Sequence, residues 1–358
     1  MYRRVWLRDR GQEWPTHHGW PLHFRRQDRP KFYDAWDILQ ETAHVRHILI
    51  TGHGVIADDD IARLEAHGFG IDRVEVLDGT EDQLMAALRA KRGYICAGHE
   101  RVTEAVIGAA GELEVISFPG SGFKEFVPGW ELATARGVAV CAAIGANAPS
   151  VADYTILLML GMLRGLPGAQ PGVSRTWPAR ECAGLSLGII GLGHSGLAVA
   201  QRASGLGMKV LAAVRQPPAA VPPYVDVVPL DDLLTQSDVV SVHVSRANGK
   251  GVLQAPHLAR MRDGTLIINV AFPDAVDWDA LRRELVDGRL RAAFDAPPAG
   301  DYADLPQQTF LASTSQTAYN TVDSNQRVSK MACDALLAVL STGNHESVVN
   351  PEFAQHRR

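Results

Sequence analysis

The sequence predicts an α/β fold of two doubly wound parallel-sheet domains with a cleft between them. Three observations carry that expectation. Short apolar runs alternate with helically spaced segments from His47 onward. One long apolar segment, residues 150–166, interrupts the alternation, and a second alternating series follows it. A glycine turn, Gly191-Leu192-Gly193-His194-Ser195-Gly196, stands between a strand and a helix at the start of that second series. Alternation of this kind means parallel strands joined by crossover helices, and the crossovers are expected to be right-handed.

The bulk properties agree. A chain of 358 residues exceeds one ordinary core, so two domains are expected. The formal net charge of −5 offers no clustered positive surface, so neither nucleic acid nor an anionic membrane is an expected partner. The cysteines, Cys96, Cys141, Cys182 and Cys333, lack metal-ligand spacing and suit a reducing, cytoplasmic setting. The apolar run Tyr154–Leu163 is too short to span a bilayer. Arg3-Arg4 is followed by charged residues rather than an apolar stretch, so it does not read as an export signal.

Taken in order, residues 1–46 hold Trp6, Trp14, Trp20 and Trp36 among Arg and His, without helical or strand periodicity. They are expected to form an ordered extension packed on the body or on a partner. His47–Thr51 reads as a strand and Asp58–His67 as a helix with acidic residues in its first turn, as the helix dipole prefers. Strands are then expected at Val74–Leu77, Tyr94–Cys96, Leu113–Ser117 and Val138–Cys141, with helices at Glu81–Lys91 and Thr103–Ala110. Ser150 suits an N-cap for the helix over 150–166, with Asp153 in the first turn. In the second series the strands fall at Leu185–Gly191, Val210–Val214, Val239–Val244, Leu266–Val270, Ala292–Phe294 and Leu311–Thr314. A helix over Ser195–Leu206 follows the glycine turn. The last helix spans about Thr321–Leu340 with Gly343 just beyond it, and residues 169–184 and 297–309 are rich in Pro and Gly and read as loops.

The glycine turn is the strongest chemical signal. A lone G-x-G-x-x-G says little, but between an apolar strand and a helix it reads as a dinucleotide cradle. Gly191 permits the tight turn, Gly193 lets the backbone approach a pyrophosphate, and Gly196 lets helix and strand pack closely. The helix N-terminus offers free N–H groups to the phosphates, with His194 and Ser195 at its mouth. An NAD site usually carries Asp or Glu near the end of the next strand. Here no carboxylate occurs between Gly196 and Asp226, and Arg215 stands where a ribose 2′-phosphate needs a cation. NADP(H) is therefore expected over NAD(H).

At these motifs the chain resembles the D-isomer-specific 2-hydroxyacid dehydrogenases, over about residues 47–352. Gly120-Ser121-Gly122 resembles the family's substrate-carboxylate loop, and Gly145–Asp153 its entry into the nucleotide domain. Ser237–His243, Gly264–Asn269, Val276-Asp277 and Val348–Pro351 continue the pattern. The resemblance implies a flavodoxin-like outer domain (47–149 and 316–358) beside a Rossmann dinucleotide-binding domain (150–315). It also implies a homodimer built on the apolar helix around 150–166. Val244, Ala271 and Asp295 join the implied cofactor contacts.

The resemblance fails at the chemical groups. The family's substrate-binding Arg falls at Phe272, its proton-donating His at Gln316, and the Glu that partners this His at Gly300. Asp301 and Asp304 are the nearest acidic stand-ins. A phenyl ring cannot bind a carboxylate, and an amide cannot serve as a general acid near neutral pH. The leading expectation is an oxidoreductase with a non-standard small-molecule substrate: a carbonyl, imine or activated alkene. Gln316 would orient it beside an apolar Phe272 wall. Tyr319 and Lys124 are candidate proton donors, and Ser121, Gly122 and His99 candidate substrate contacts. The alternative is a catalytically inactive dinucleotide-binding protein whose Trp- and Arg-rich extension engages a partner. His17, His18 and His23 lack the companions a metal needs, and neither His-Glu-x-x-His nor G-x-S-x-G occurs.

Overall fold

The computed structural model describes residues 46–52, 54–74, 80–98, 100–167, 179–216, 218, 220–298, 300–313 and 317–357. The extension 1–45, with its tryptophans and histidines, lies outside them. So do residues 75–77 of the expected second strand and most of the 169–184 loop.

Two parallel sheets organise the chain. The first holds β1 (Arg46–Thr51), β2 (Phe69–Val74), β3 (Lys91–Cys96), β4 (Val115–Phe118) and β5 (Ala139–Ala142), in the order β2-β1-β3-β4-β5. That is the flavodoxin-like order. The second holds β6 (Ser186–Ile190), β7 (Lys209–Ala213), β8 (Val225–Val227), β9 (Val239–Val242), β10 (Leu266–Asn269), β11 (Arg291–Phe294) and β12 (Phe310–Ala312). Its order, β12-β11-β10-β9-β6-β7-β8, is the Rossmann order with one added edge strand.

Both sheets are covered on both faces, which is why their strands read as continuous apolar runs. In β1, Ile48 and Ile50 point to one core with Leu336, Val339 and Phe353, while Leu49 points to the other with Leu84 and Ile107. In the second sheet, Leu187 and Ile189 face Met159 and Ala203, while Ile190 and Val242 face Leu233 and Leu281. The helix Val322–Thr342 lays Ala332, Cys333 and Leu336 on the first sheet, so the chain end completes the domain that its beginning opened. Gly343 ends that helix at φ 89°, a left-handed stop open to glycine.

Several elements depart from the sequence reading for local reasons. The helix expected from Ser150 begins at Ala148, because Pro149 is pre-organised for a first turn. Ser150 is therefore inside the helix, with its hydroxyl 2.8 Å from that of Thr321. Asp153 pairs with Arg202 at 2.6 Å. The helix expected over Glu81–Lys91 ends at Ala87, and Ala90 at φ 55° turns the chain so that Lys91 opens β3. β2 begins at Phe69, directly after the left-handed turn at Gly68 (φ 84°). The short helices Phe123–Phe126 and Trp130–Ala135 and the three-residue β8 are too brief to show a period. Among the described residues no helix is long and apolar enough to cross a membrane. Cys96 and Cys141 are fully buried, and burial pushes the Cys141 thiol up to about 12.

Candidate active site

The parallel topology brings the carboxyl ends of the strands to one edge of each sheet, and the predicted cofactor residues lie along that edge of the second sheet. Arg215 follows β7, Gly191 follows β6, Val244 follows β9, Ala271 and Phe272 follow β10, and Asp295 follows β11. The centre is the β6/β9 crevice, where the strand order reverses.

The glycine turn fits a dinucleotide. Gly191 has φ 96°, and a Cβ there would drive into the His243 carbonyl and approach Val244. At Gly196 a Cβ would strike the Gly191 carbonyl, so only glycine lets the helix start so close to β6. Gly193 has nothing within 4 Å of where its Cβ would be, which leaves open space in front of the backbone. It precedes the helix His194–Gly205 with no side-chain cap, so the first N–H groups are left for a ligand. Ser195 is half-buried, while His194 and Arg215 are exposed.

His194 does more than border the turn. A Cβ on Gly145 (φ 81°) would lie 2.6 Å from its ring, and the Gly145 N–H donates to the Ser121 Oγ at 3.2 Å. Ser121, Gly145 and His194 thus join the outer-domain loop Gly120–Gly122 to the mouth of the nucleotide turn. Gly122 is exposed beside Ser121.

Phe272 does not present an open apolar wall. It is 5% exposed, packed in the core that holds Leu253 and Val276. Its ring supports the Arg246 guanidinium at 5.0 Å. Gly249 makes this packing feasible, since a Cβ there would collide with Val244 and come within 3.2 Å of the ring. The buried Asn269 staples the turn: its Nδ2 donates to the Phe272 carbonyl at 2.9 Å, and its Oδ1 accepts the Ala271 N–H at 3.1 Å. Arg246 also lies 3.4 Å from Asp274 and 3.9 Å from Glu125 of the outer domain. Neither Asn269 nor Arg246 was singled out from the sequence as a site residue. Nothing local distinguishes Arg246 from a solvated arginine.

Asp295 is 1% exposed. Its oxygens accept the Thr317 N–H at 2.8 Å, the Thr317 hydroxyl at 3.1 Å and the Ala318 N–H at 3.1 Å. Burial raises its pKa against the lowering effect of those bonds. Its visible role is to fix the segment that follows residue 316. Gln316 and His99 themselves lie outside the described residues. Tyr319 is 45% exposed. The Lys124 ammonium lies over the Trp130 ring at 4.8 Å. Asp304 pairs with Arg282 at 2.5 Å and Asp301 accepts the Ala303 N–H, so both acidic stand-ins are engaged elsewhere.

His243 follows β9 and closes the Ser237–His243 motif. Its Nε2 lies 2.7 Å from the Ser241 hydroxyl, and burial lowers its pKa to about 4, so the ring beside the glycine turn is neutral. Among the described residues no cluster of three or more His, Cys, Asp or Glu could hold a metal.

Comparison with known proteins places this geometry. Residues 156–310 match the profile described as D-isomer specific 2-hydroxyacid dehydrogenase, NAD binding domain. The hydroxypyruvate reductase of Thermotoga maritima is 31% identical over 232 residues, which cover 62% of this chain and 75% of that one. The D-3-phosphoglycerate dehydrogenase of Mycobacterium tuberculosis is 32% identical over 251 residues, 67% of this chain but only 47% of that longer protein. The crystal structure of the TT0316 protein from Thermus thermophilus superposes with a TM-score of 0.71 at 26% identity, covering 85% of this chain and 99% of that one. The chain therefore belongs to the D-isomer-specific 2-hydroxyacid dehydrogenase family of NAD-dependent oxidoreductases.

Proposed function

We propose that the protein is an NADP(H)-preferring oxidoreductase acting on a carbonyl, imine or activated alkene rather than on a simple 2-keto acid. The observation that carries this reading is the pairing of an intact nucleotide turn with a buried phenyl ring at Phe272, where relatives are expected to place a substrate-binding arginine. When bound, the coenzyme supplies or accepts the hydride. The chain's own part is to hold the diphosphate on the N–H groups at Gly193–Gly196 and the 2′-phosphate on Arg215. The Ser121–Gly145–His194 contact keeps the outer-domain loop against the nucleotide turn. Asp295 fixes the segment after Gln316, which would orient the substrate, with Tyr319 as proton donor. We further assign residues 47–149 and 316–358 to the outer domain, 150–315 to the nucleotide domain, and a cytoplasmic homodimer to the whole.

Calorimetry with NADPH and NADH, followed by a panel of carbonyl, imine and alkene acceptors, tests the reading. Tighter NADPH binding with turnover of a panel member supports it. Heat with neither coenzyme sinks it. The engagement of Lys124, Asp301 and Asp304 favours a second reading, a coenzyme-binding protein without turnover. Tight coenzyme binding, an inert panel and a partner lost on deletion of residues 1–46 would establish that alternative.

A further inference from the structure

Among the described residues, a carboxylate without a Lys or Arg partner stands at the carboxyl edge of the outer sheet. Glu100 follows β3, and β1 and β3 flank the point where that sheet reverses its strand order, the usual place for a ligand in this topology. Its Oε1 accepts the hydroxyl of the fully buried Tyr94 at 2.6 Å, and the buried Thr51 hydroxyl donates to the same oxygen. Burial, and then the negative charges around it, hold the Tyr94 phenol well above its ordinary pKa, so it remains a donor.

The surrounding backbone is shaped for this group. A Cβ on Gly98 would lie 2.1 Å from the Glu100 Oε2, so only glycine lets the carboxyl group pack there, and a Cβ on Gly52 would strike the Ala97 carbonyl. Among the described residues no donor is bonded to Oε2, and no Lys or Arg forms an ion pair with Glu100. The adjoining segment is tied to the substrate loop's side of the cleft: the Val102 N–H donates to the Phe126 carbonyl at 2.7 Å, in the helix just after Gly122.

We propose that Glu100 is a specificity-determining residue that binds a cationic nitrogen, an ammonium or iminium, on the substrate. The inference rests on the reading of this cleft as the substrate site. Two hydroxyl donors on one oxygen hold the carboxyl group in a single orientation. A half-buried anion is costly unless it is paired. The free oxygen offers a cationic ligand a charge-assisted hydrogen bond that a neutral isostere cannot make. Of the acceptors considered above, this selects a substrate bearing an amine, or an imine protonated at nitrogen.

Saturation-transfer NMR on the full chain tests this with paired probes: glycine and acetate, 4-aminobutyrate and butyrate, 6-aminohexanoate and hexanoate. At least one aminated probe is expected to bind about tenfold more tightly than its deaminated partner, the scale of one hydrogen bond to a charged group. Glu100→Gln is expected to abolish that preference, and Glu100→Asp, which keeps the charge, to retain part of it. Equal binding of every pair, absence of binding by all probes, or a preference that survives Glu100→Gln overturns the proposal. NADPH titrated into the same samples separates the two levels. Coenzyme binding without amine preference removes only the role of Glu100, whereas absence of coenzyme binding removes the oxidoreductase reading whatever the probes do.

Discussion

The Arg246 guanidinium lies over the Phe272 ring, 5.0 Å from its centroid. One residue is a core aromatic of the nucleotide domain, and the other reaches toward Glu125 on the outer domain. Their contributions to stability are therefore expected to differ sharply. Phe272→Ala removes a buried ring and is expected to cost about 3–5 kcal/mol. Arg246→Leu loses a cation–π contact and exposed ion pairs, expected at no more than about 1 kcal/mol. Urea unfolding of both variants measures the gap, and equal losses would contradict the burial of Phe272.

The three glycines of the turn are expected to fail differently. Gly191→Ala and Gly196→Ala meet backbone carbonyls and should lower the stability of the free protein. Gly193→Ala meets nothing in the free chain, so its melting temperature should hold. Its coenzyme affinity should still fall by about tenfold or more, because the added methyl stands where the pyrophosphate approaches. Thermal melts with calorimetry of each variant check this. A Gly193→Ala protein with undiminished affinity would move the phosphates elsewhere.

Gly145→Ala forces a left-handed backbone on a residue with a Cβ and presses on His194. A stability loss of about 1–3 kcal/mol is expected from the backbone alone. A fall in coenzyme affinity beyond that of Ser121→Ala should accompany it, since among the described residues Ser121 contributes a single hydrogen bond to this junction.

Arg215→Ala is expected to weaken NADPH by about tenfold or more and leave NADH nearly unchanged, because only the former carries the 2′-phosphate. Parallel titrations decide it. Equal losses for both coenzymes would make Arg215 a general electrostatic contributor.

His243 fixes one component of the pH dependence. Its folded pKa, about 4, lies below the ordinary 6.5. The unfolded chain therefore takes the proton first as pH falls. The stabilising contribution is complete above about pH 6.5 and is lost progressively toward pH 4. Urea midpoints measured between pH 7 and 4.5 should fall less steeply in His243→Gln than in the parent. Identical slopes would show that the ring is not held neutral.

Much of this site was legible from local text. The turn at Gly191–Gly196 is written in consecutive residues, and the free fold demands glycine at Gly191 and Gly196, where a Cβ would meet a backbone carbonyl. Arg215 was placed by counting from that turn to the next strand end. Phe272 was correctly located after β10, but its burial was not foreseen, because the ring's fate depends on Gly249 and Val244 making room. Ser150 suited an N-cap by type, yet Pro149 started the helix earlier. Asn269, Arg246 and Glu100 were not singled out as site residues, since an amide, a guanidinium and a carboxylate look the same in a sequence whether solvated or converging.

The sequence by itself determined the two parallel sheets, the long apolar helix between them and the nucleotide turn. Each follows from periodicity or from the conformational demands of neighbouring residues. Tertiary structure alone decided which groups meet: Gly145 with both Ser121 and His194, Arg246 on Phe272, Tyr94 and Thr51 on Glu100. The physical reason is that strand order sets these encounters. Hydrogen bonding between strands distant in the chain brings their loops to one edge, and no local pattern encodes what will stand opposite a given residue there.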